Sequence, residues 1–146
     1  MKKIAIGFIV ILVGIQFFSV NKTNPPVTAE IDAPPEVMSI LKRSCYDCHS
    51  NETKWPWYSY VAPVSWLVTD DVNEGRKHLN FSDWGDLTRQ KMVRKKEHIG
   101  DEVKEGGMPL WKYTLIHSDA KLTDKDKNII LEWSGQGNSG EDDDDD

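Results

Sequence analysis

The chain is poor in cysteine and has no excess of positive charge. Only two of its 146 residues are cysteines. A structural zinc site needs four nitrogen or sulfur ligands, so the lack of a second cysteine pair argues against one. The 18 basic residues are outnumbered by 24 acidic ones, which leaves no charge to neutralise a phosphate backbone. We therefore expect no nucleic-acid partner, and the length fits one compact domain with attachments rather than a multidomain enzyme.

No stretch alternates polar and apolar residues strongly enough to predict a β-strand, whereas several segments have helical periodicity. The fold class predicted from this pattern is all-α, a small domain of four or five helices. The predicted helices are one beginning near Pro35, one over 62–75, one from 83–86 towards Ile99 with a shorter stretch over 101–105, and one from Thr123 to Gly135. Thr123 opens a Thr-Asp-Lys-Asp segment that approximates a capping box.

The N-terminal segment predicts attachment to a membrane. Lys2 and Lys3 precede an apolar run over residues 4–20 that only Gln16 interrupts. Such a run is just long enough to span a bilayer as a helix, and two lysines before it favour a cytoplasmic N-terminus. We interpret residues 1–20 as an uncleaved anchor, with a cleaved signal sequence as the alternative. The domain would then lie in the bacterial periplasm or on the cell-exterior side of the cytoplasmic membrane.

Two segments flank the predicted domain, which covers residues 35–135. Residues 21–34 contain three of the seven prolines and little hydrophobic pattern, and Pro35 follows directly, so we predict an extended stalk. Residues 136–146 are glycine-rich and then acidic, which predicts a disordered tail. Residues 141–146 are all acidic, and the remaining acids equal the bases in number. The folded part is therefore close to neutral.

The chemistry is concentrated in the segment Cys45-Tyr46-Asp47-Cys48-His49, which contains both cysteines. Cys-x-x-Cys-His is the attachment motif of c-type haem. Residues three apart share one face of a helical turn, so the sulfurs of Cys45 and Cys48 can form thioethers to the two vinyl groups of one haem. His49 can then reach the iron as the proximal ligand. We predict one covalently attached haem c per chain.

The two cysteines have three alternative uses. Beyond the motif, a zinc site could draw only on His78, His98 and His117. A thioredoxin-like dithiol would need alternating strands and helices around the motif, which the sequence lacks. A plain disulfide is compatible with export but leaves the adjacent histidine without a role.

A second iron ligand is predicted in the segment Gly106-Gly107-Met108-Pro109. Two glycines allow the backbone to approach a planar ring closely, and Pro109 fixes the chain directly after the thioether. Met108 is therefore our candidate for the distal ligand, with His78, His98 and His117 as alternatives. A Met/His pair suits an iron that accepts and passes single electrons, and it leaves no open position for catalysis.

The sequence resembles the bacterial haem-binding domain family of small monohaem c-type proteins over roughly residues 34–135. The resemblance rests on the segments 45–58, 62–68, 71–84 and 106–109. It implies a cytochrome c-like helical domain in which Cys45 and Cys48 attach the haem and His49 is an axial ligand. Two roles stay open: Arg76, Lys77 or His78 could contact the haem propionates, and the aromatic segment 55–60 could either line the haem edge or pack as an ordinary loop.

The expected function is electron transfer between redox partner proteins by an exported protein held at the membrane through its N-terminal helix. The alternative is a haem enzyme of the peroxidase kind, or a gas or redox sensor, in which the distal ligand is displaceable. An electron carrier is favoured over an enzyme because both axial positions have candidate ligands.

Overall fold

The structure, a computed structural model, describes residues 1–137, and all of its regular elements are helical. The predicted all-α class is confirmed. The α-helices are α1 (Lys2–Gly14), α2 (Pro35–Ser44), α3 (Tyr46–His49), α4 (Val64–His78), α5 (Arg89–Glu105), α6 (Trp111–Ile116) and α7 (Asp124–Ser134). Short 3-10 turns lie at Ile15–Phe17, Trp57–Tyr60, Trp84–Asp86 and Ser118–Ala120.

The hydrophobic core lies between α2, α5 and α7 and the loop that follows α4. Its most deeply buried large side chains are those of Phe81, Leu41, Ile130 and Val37. The ring of Phe81 stacks on that of Tyr46 with a centroid distance of 5.3 Å. Because Tyr46 is the first residue of α3, this stacking fixes the start of the Cys-x-x-Cys-His turn against the core.

The helix predicted to begin near Pro35 is confirmed as α2, which begins at Pro35 and buries Val37 and Leu41. The helix does not continue smoothly into the motif. Cys45 adopts φ −126° and ψ −33°, which separates α2 from α3. After this break the backbone N–H groups of Cys48 and His49 both donate to the carbonyl of Cys45, at 3.2 and 3.0 Å. The motif is therefore a separate helical turn, oriented independently of α2.

The capping box predicted at Thr123 is present at the start of α7. The Thr123 hydroxyl accepts from the backbone N–H of Asp126 at 3.1 Å, and Oδ2 of Asp126 accepts from the backbone N–H of Thr123 at 2.9 Å. The same carboxylate oxygen accepts from Nη2 of Arg43 at 2.9 Å. Because Arg43 lies in α2, this contact ties the first turn of α7 to the helix that precedes the motif.

The region after α4 differs from the predicted helices. Residues Trp84–Asp86 form a 3-10 turn, and α5 runs unbroken from Arg89 to Glu105 where two stretches were expected. Gly100 lies within α5 and does not interrupt it. The absence of a side chain allows close packing on α7, since a Cβ at this position would lie 2.3 Å from Oγ of Ser134. Helix α6 was not predicted from the sequence.

The segment predicted as a stalk over 21–34 is extended but bound to the domain. The backbone N–H groups of Thr28 and Ala29 both donate to the Ser82 carbonyl at 3.0 Å, and that of Ile31 donates to Phe81 at 2.8 Å. Ile31 is only 3% exposed and belongs to the core. Its hydrogen bonds and its burial place this segment inside the folded domain, so the boundary predicted at residue 35 lies too late.

The predicted membrane-spanning helix over 1–20 is not supported. Helix α1 is 13 residues long, buries none of its side chains and is followed by the short turn at Ile15–Phe17. Within the part of the chain that the structure describes, no helix combines the length and apolar character needed to cross a membrane.

The predicted tail over 136–146 lies outside the described residues from 138 onwards. Gln136 does fall within them, and its side-chain amide donates to the Glu97 carbonyl at 2.9 Å and to Asp101 at 2.7 Å, so it is fastened to α5.

Candidate functional site

A cavity of about 400 Å³ brings together the four residues singled out by the sequence, Cys45, Cys48, His49 and Met108. The two cysteines and His49 come from the break after α2 and from α3, and Met108 comes from the loop between α5 and α6. Much of the remaining lining is apolar and consists of Leu79, Phe81, Ile99, Val103 and Leu110. A planar, largely apolar group with a metal at its centre matches this lining and these ligands.

Both cysteines are free thiols. Burial, with the neighbouring Cys48, raises the pKa of Cys45 to about 12. Burial, followed by the charges of Asp71 and Asp47, raises the pKa of Cys48 to about 11. A redox-active dithiol needs a lowered thiol pKa, so this environment argues against the thioredoxin-like alternative.

A zinc site finds no support either. Within residues 1–137 no group of three or more histidine, cysteine or acidic side chains is arranged to hold a metal ion. The cavity does contain an imidazole and a thioether, which are the ligands that a haem iron takes from a protein.

The imidazole of His49 is fixed in one tautomer. Its Nδ1 lies 3.0 Å from the Gly75 carbonyl and 3.1 Å from the Leu79 carbonyl. Carbonyl oxygens only accept, so Nδ1 carries the proton and the lone pair of Nε2 is available to a metal. Burial lowers the pKa of His49, although the two carbonyl contacts oppose that effect. The ring is therefore neutral near pH 7, as an iron ligand must be.

Gly75 is a site residue that the sequence did not identify. A Cβ at this position would lie 2.5 Å from the Cys48 carbonyl oxygen, so only glycine allows α4 to approach α3 this closely. The same residue supplies one of the carbonyl groups that orient His49. Sequence alone showed a glycine near the end of a predicted helix, and nothing local distinguishes a packing glycine from a helix terminator.

Met108 lies in a loop whose geometry requires the glycine at 106. Gly106 ends α5 in the left-handed region at φ 75°. The backbone N–H groups of Gly107 and Met108 then donate to the Glu102 carbonyl at 2.9 and 3.2 Å. A Cβ on Gly107 would meet only the end of the flexible Glu102 side chain, which can move aside. The loop therefore turns tightly back over the end of α5, with Met108 half-buried at the cavity.

The three alternative histidines occupy different places. His78 and His98 also line the cavity, but their side chains are 76% and 72% exposed and each lies near a glutamate of its own helix. His117 is not part of the cavity lining. Its Nε2 is 2.6 Å from the Tyr58 hydroxyl, and its ring stacks on Tyr113 at 4.4 Å.

Arg76 does not face the cavity, so the structure argues against its contacting haem propionates. Its guanidinium instead donates to the extended segment before α2 and to the loop after α3. The acceptors are the Ser50 carbonyl at 2.7 Å, the Thr23 carbonyl at 2.7 Å, Asn24 Oδ1 at 2.9 Å and Thr53 Oγ1 at 2.8 Å. Lys77 is also absent from the cavity lining, which leaves His78 as the one member of the predicted trio at the rim.

The aromatic segment 55–60 does not line the main cavity. Trp57 is 78% exposed, and Tyr58 contacts His117 and a smaller adjoining cavity of about 180 Å³. The aromatic side chains that do line the main cavity are Phe81 and Tyr113. The loop-packing interpretation of this segment is therefore favoured.

An all-helical domain with two thiols, an oriented imidazole and a thioether around one cavity defines the haem-binding class of protein. In agreement with this, the chain matches the family described as "Haem-binding domain" over residues 10–136 and belongs to that family. The match begins well before residue 35, which accords with the packing of the extended segment on the domain.

One curated relative is a protein named cytochrome c peroxidase Ccp, from Escherichia coli (strain K12). It is 23% identical to this chain over 133 residues, which cover 84% of this chain and 28% of that protein. The chain therefore spans little more than a quarter of that relative's length. No solved structure matches the chain.

Proposed function

We propose that this haem-binding protein is a monohaem c-type cytochrome that transfers single electrons between redox partner proteins. The observation that carries the proposal is the meeting of Cys45, Cys48, His49 and Met108 at one cavity. Met108 lies 59 residues after His49, so it is the fold that brings the predicted distal ligand to the attachment motif.

Covalent attachment is assigned to the two cysteines. Cys45 and Cys48 belong to one helical turn and both line the cavity, as thioether bonds to the two vinyl groups of one haem require. Because the chain contains no other cysteine, a single haem c per chain is expected.

The axial positions are assigned to His49 and Met108. His49 offers a neutral Nε2, since its Nδ1 proton is held by two carbonyl oxygens. Bound haem would supply an iron that alternates between ferric and ferrous states. A thioether ligand favours the ferrous state relative to a second imidazole, so the pair suits an electron carrier.

The protein is proposed to act outside the cytoplasm, where bacteria attach c-type haem. The apolar side chains of α1 are all exposed, as in a segment that enters a membrane during export. Residues 1–20 would serve as a membrane anchor or as a signal sequence. Separation of cells into periplasmic and membrane fractions, followed by N-terminal sequencing of the haem-containing chain, distinguishes the two.

The proposed ligation is tested on the full chain, produced together with haem-attachment machinery. Haem that stays with the chain on denaturing electrophoresis demonstrates covalent attachment, and loss of that haem in Cys45→Ala and Cys48→Ala assigns it. The oxidised protein should show the weak long-wavelength sulfur-to-iron band. Met108→Leu should abolish the band, whereas Met92→Leu, in α5 and packed against the core, should keep it. A band that survives Met108→Leu would exclude Met108 as the ligand.

The similarity to a protein named cytochrome c peroxidase favours one second candidate, a haem site that reacts with peroxide or binds a gas. That function requires a vacant or displaceable distal position. Cyanide and carbon monoxide distinguish the two functions, because both ligands bind readily to an open site and poorly to a six-coordinate one. Rapid binding to the unmodified full chain would favour the second candidate.

A further inference from the structure

Helix α6 follows the Met108 loop and is weakly packed. None of its residues is buried, and Trp111, Leu115 and Ile116 are 73%, 72% and 63% exposed. Apolar burial is the main force that holds helices in place, so α6 must depend on other contacts. Its position matters because only Pro109 and Leu110 separate it from Met108.

Two polar contacts tie α6 to the opposite side of the cavity. The Tyr113 hydroxyl donates to Oδ2 of Asp47 at 2.8 Å, in a half-buried position. The Lys112 ammonium donates to Oδ1 of Asp71, also at 2.8 Å, but these side chains are 49% and 30% exposed. Solvent screens the second contact, whereas a half-buried hydrogen bond to a carboxylate keeps more of its strength. The two contacts thus have equal lengths, but the one between Tyr113 and Asp47 is expected to contribute more to holding α6 in place.

Both partners of the stronger contact are themselves held in place. The other oxygen of Asp47 accepts from the backbone N–H of Lys54 at 3.0 Å. The ring of Tyr113 stacks on His117 at 4.4 Å and lines the cavity. Burial, and then the hydrogen bond to Asp47, raise the pKa of Tyr113, so the phenol remains a donor throughout the physiological range.

We propose that the hydrogen bond between Asp47 and Tyr113 holds Met108 at the cavity, which makes Tyr113 a positioning residue for the distal ligand. The loop's other end is already fixed by the two N–H groups that donate to the Glu102 carbonyl. Asp47 lies between the two cysteines of the attachment motif. The turn over 45–49, which would carry the haem through its two cysteines, therefore also restrains the segment that contains Met108. This inference rests on the proposed ligation by Met108.

The test uses the haem-loaded full chain and four variants. Tyr113→Phe removes the donor and keeps the ring, and Asp47→Asn weakens the acceptor from the opposite side. Lys112→Gln breaks the exposed contact of the same helix, and Tyr58→Phe removes a neighbouring phenol that contacts His117 but not Asp47. The readouts are the sulfur-to-iron band of the oxidised protein and the rate of carbon monoxide binding to the reduced protein.

A hydrogen bond to a charged group accounts for about a ten- to hundred-fold change in an equilibrium. Carbon monoxide should therefore bind about ten- to hundred-fold faster to Tyr113→Phe, with a weakened band, and Asp47→Asn should change in the same direction. The two control variants should resemble the unmodified protein. If Asp47→Asn and Tyr113→Phe also match it, the proposed hydrogen-bond role is wrong while Met108 ligation stands. If the unmodified protein itself lacks the band, the ligation by Met108 fails, and this inference fails with it.

Discussion

Asp126 links two helices of the domain, and its removal should be measurable as a loss of stability. Its carboxylate accepts from Thr123 within the capping box of α7 and from Arg43 of α2 at 2.9 Å. The side chains of Asp126 and Arg43 are 15% and 34% exposed. Asp126→Asn keeps the size of the side chain and one acceptor oxygen, but it leaves the guanidinium without its ionic partner.

The size of the effect follows from these contacts. A hydrogen bond to a charged group contributes about 1.5–3 kcal/mol, and weakening of an N-cap costs up to about 1 kcal/mol. Because Arg43 is one-third exposed, the lower part of the combined range applies, about 2 kcal/mol. For a chain of this length that corresponds to a fall in Tm of roughly 4–8 °C. Thermal unfolding followed by far-UV circular dichroism measures it.

The pH dependence gives a second, independent check. Burial alone would raise the pKa of Asp126, but hydrogen bonds from Thr123 and the charge of Arg43 outweigh burial and lower it. The pKa of Asp126 is lower in the folded protein than in the unfolded chain, where it is about 3.9. The ionised carboxylate therefore stabilises the folded protein at pH values above about 3.9. That stabilisation disappears as the pH falls through the folded-state pKa. The difference in Tm between the unmodified protein and Asp126→Asn should therefore have its full size at pH 7 and shrink below about pH 4.

Asp124→Asn is the matched control, since Asp124 lies in the same helical turn with a fully exposed side chain. It should leave the Tm unchanged. The reasoning is refuted if Asp126→Asn behaves like this control at pH 7, or if its effect persists undiminished in acid.

Two further predictions concern residues of α4, Gly75 and Arg76. Gly75→Ala would set a methyl group 2.5 Å from the Cys48 carbonyl oxygen, so the absorbance of covalent haem per polypeptide should fall. Asn73→Ala, on the exposed side of α4, should leave that absorbance unchanged. Equal haem content in the two variants would contradict the packing argument. Arg76→Gln removes charged hydrogen bonds to Thr23 and Asn24 in the segment before α2 and to Ser50 after α3. The free energy of unfolding should therefore fall by about 2 kcal/mol, and proteases should cleave the segment before α2 faster. Lys77→Gln should change neither the free energy of unfolding nor the rate of proteolysis. An Arg76→Gln protein that proteases cleave no faster would show that Arg76 does not hold the segment before α2 in place.

Local signals in the sequence were sufficient for α2, α4 and α7 and for the four cavity residues, but not for α6 or for the unbroken length of α5. Pro35 and the Thr123 capping box act within one turn of chain, so their effect is visible without a fold. The Cys-x-x-Cys-His spacing and the Gly-Gly-Met-Pro loop are equally local. Each was predicted as a separate feature, and the cavity at which they meet became visible only in the structure.

The features that the sequence could not predict depend on distant partners. The segment over 28–31 has no periodicity, because its N–H groups bind carbonyl oxygens about fifty residues away. Gly100 resembles a helix breaker in sequence, but its need for glycine comes from Ser134 on another helix. In α4 the apolar Leu67 is 62% exposed, whereas the polar Ser65 and Thr69 are buried, so periodicity identified the helix but not its buried face.

The contacts of His49 also determine the electrostatic environment of any metal bound to it. Gly75 and Leu79 lie at the C-terminal end of α4, where the helix dipole concentrates partial negative charge equivalent to about half an electron. Through Nδ1–H this negative end increases the electron density on the imidazole and its basicity at Nε2. A more basic ligand stabilises the more positive state of the metal. In a haem held by His49 and Met108 as proposed, helix α4 would oppose the preference of the thioether for ferrous iron. The reduction potential would then reflect the balance between a helix end and a sulfur atom.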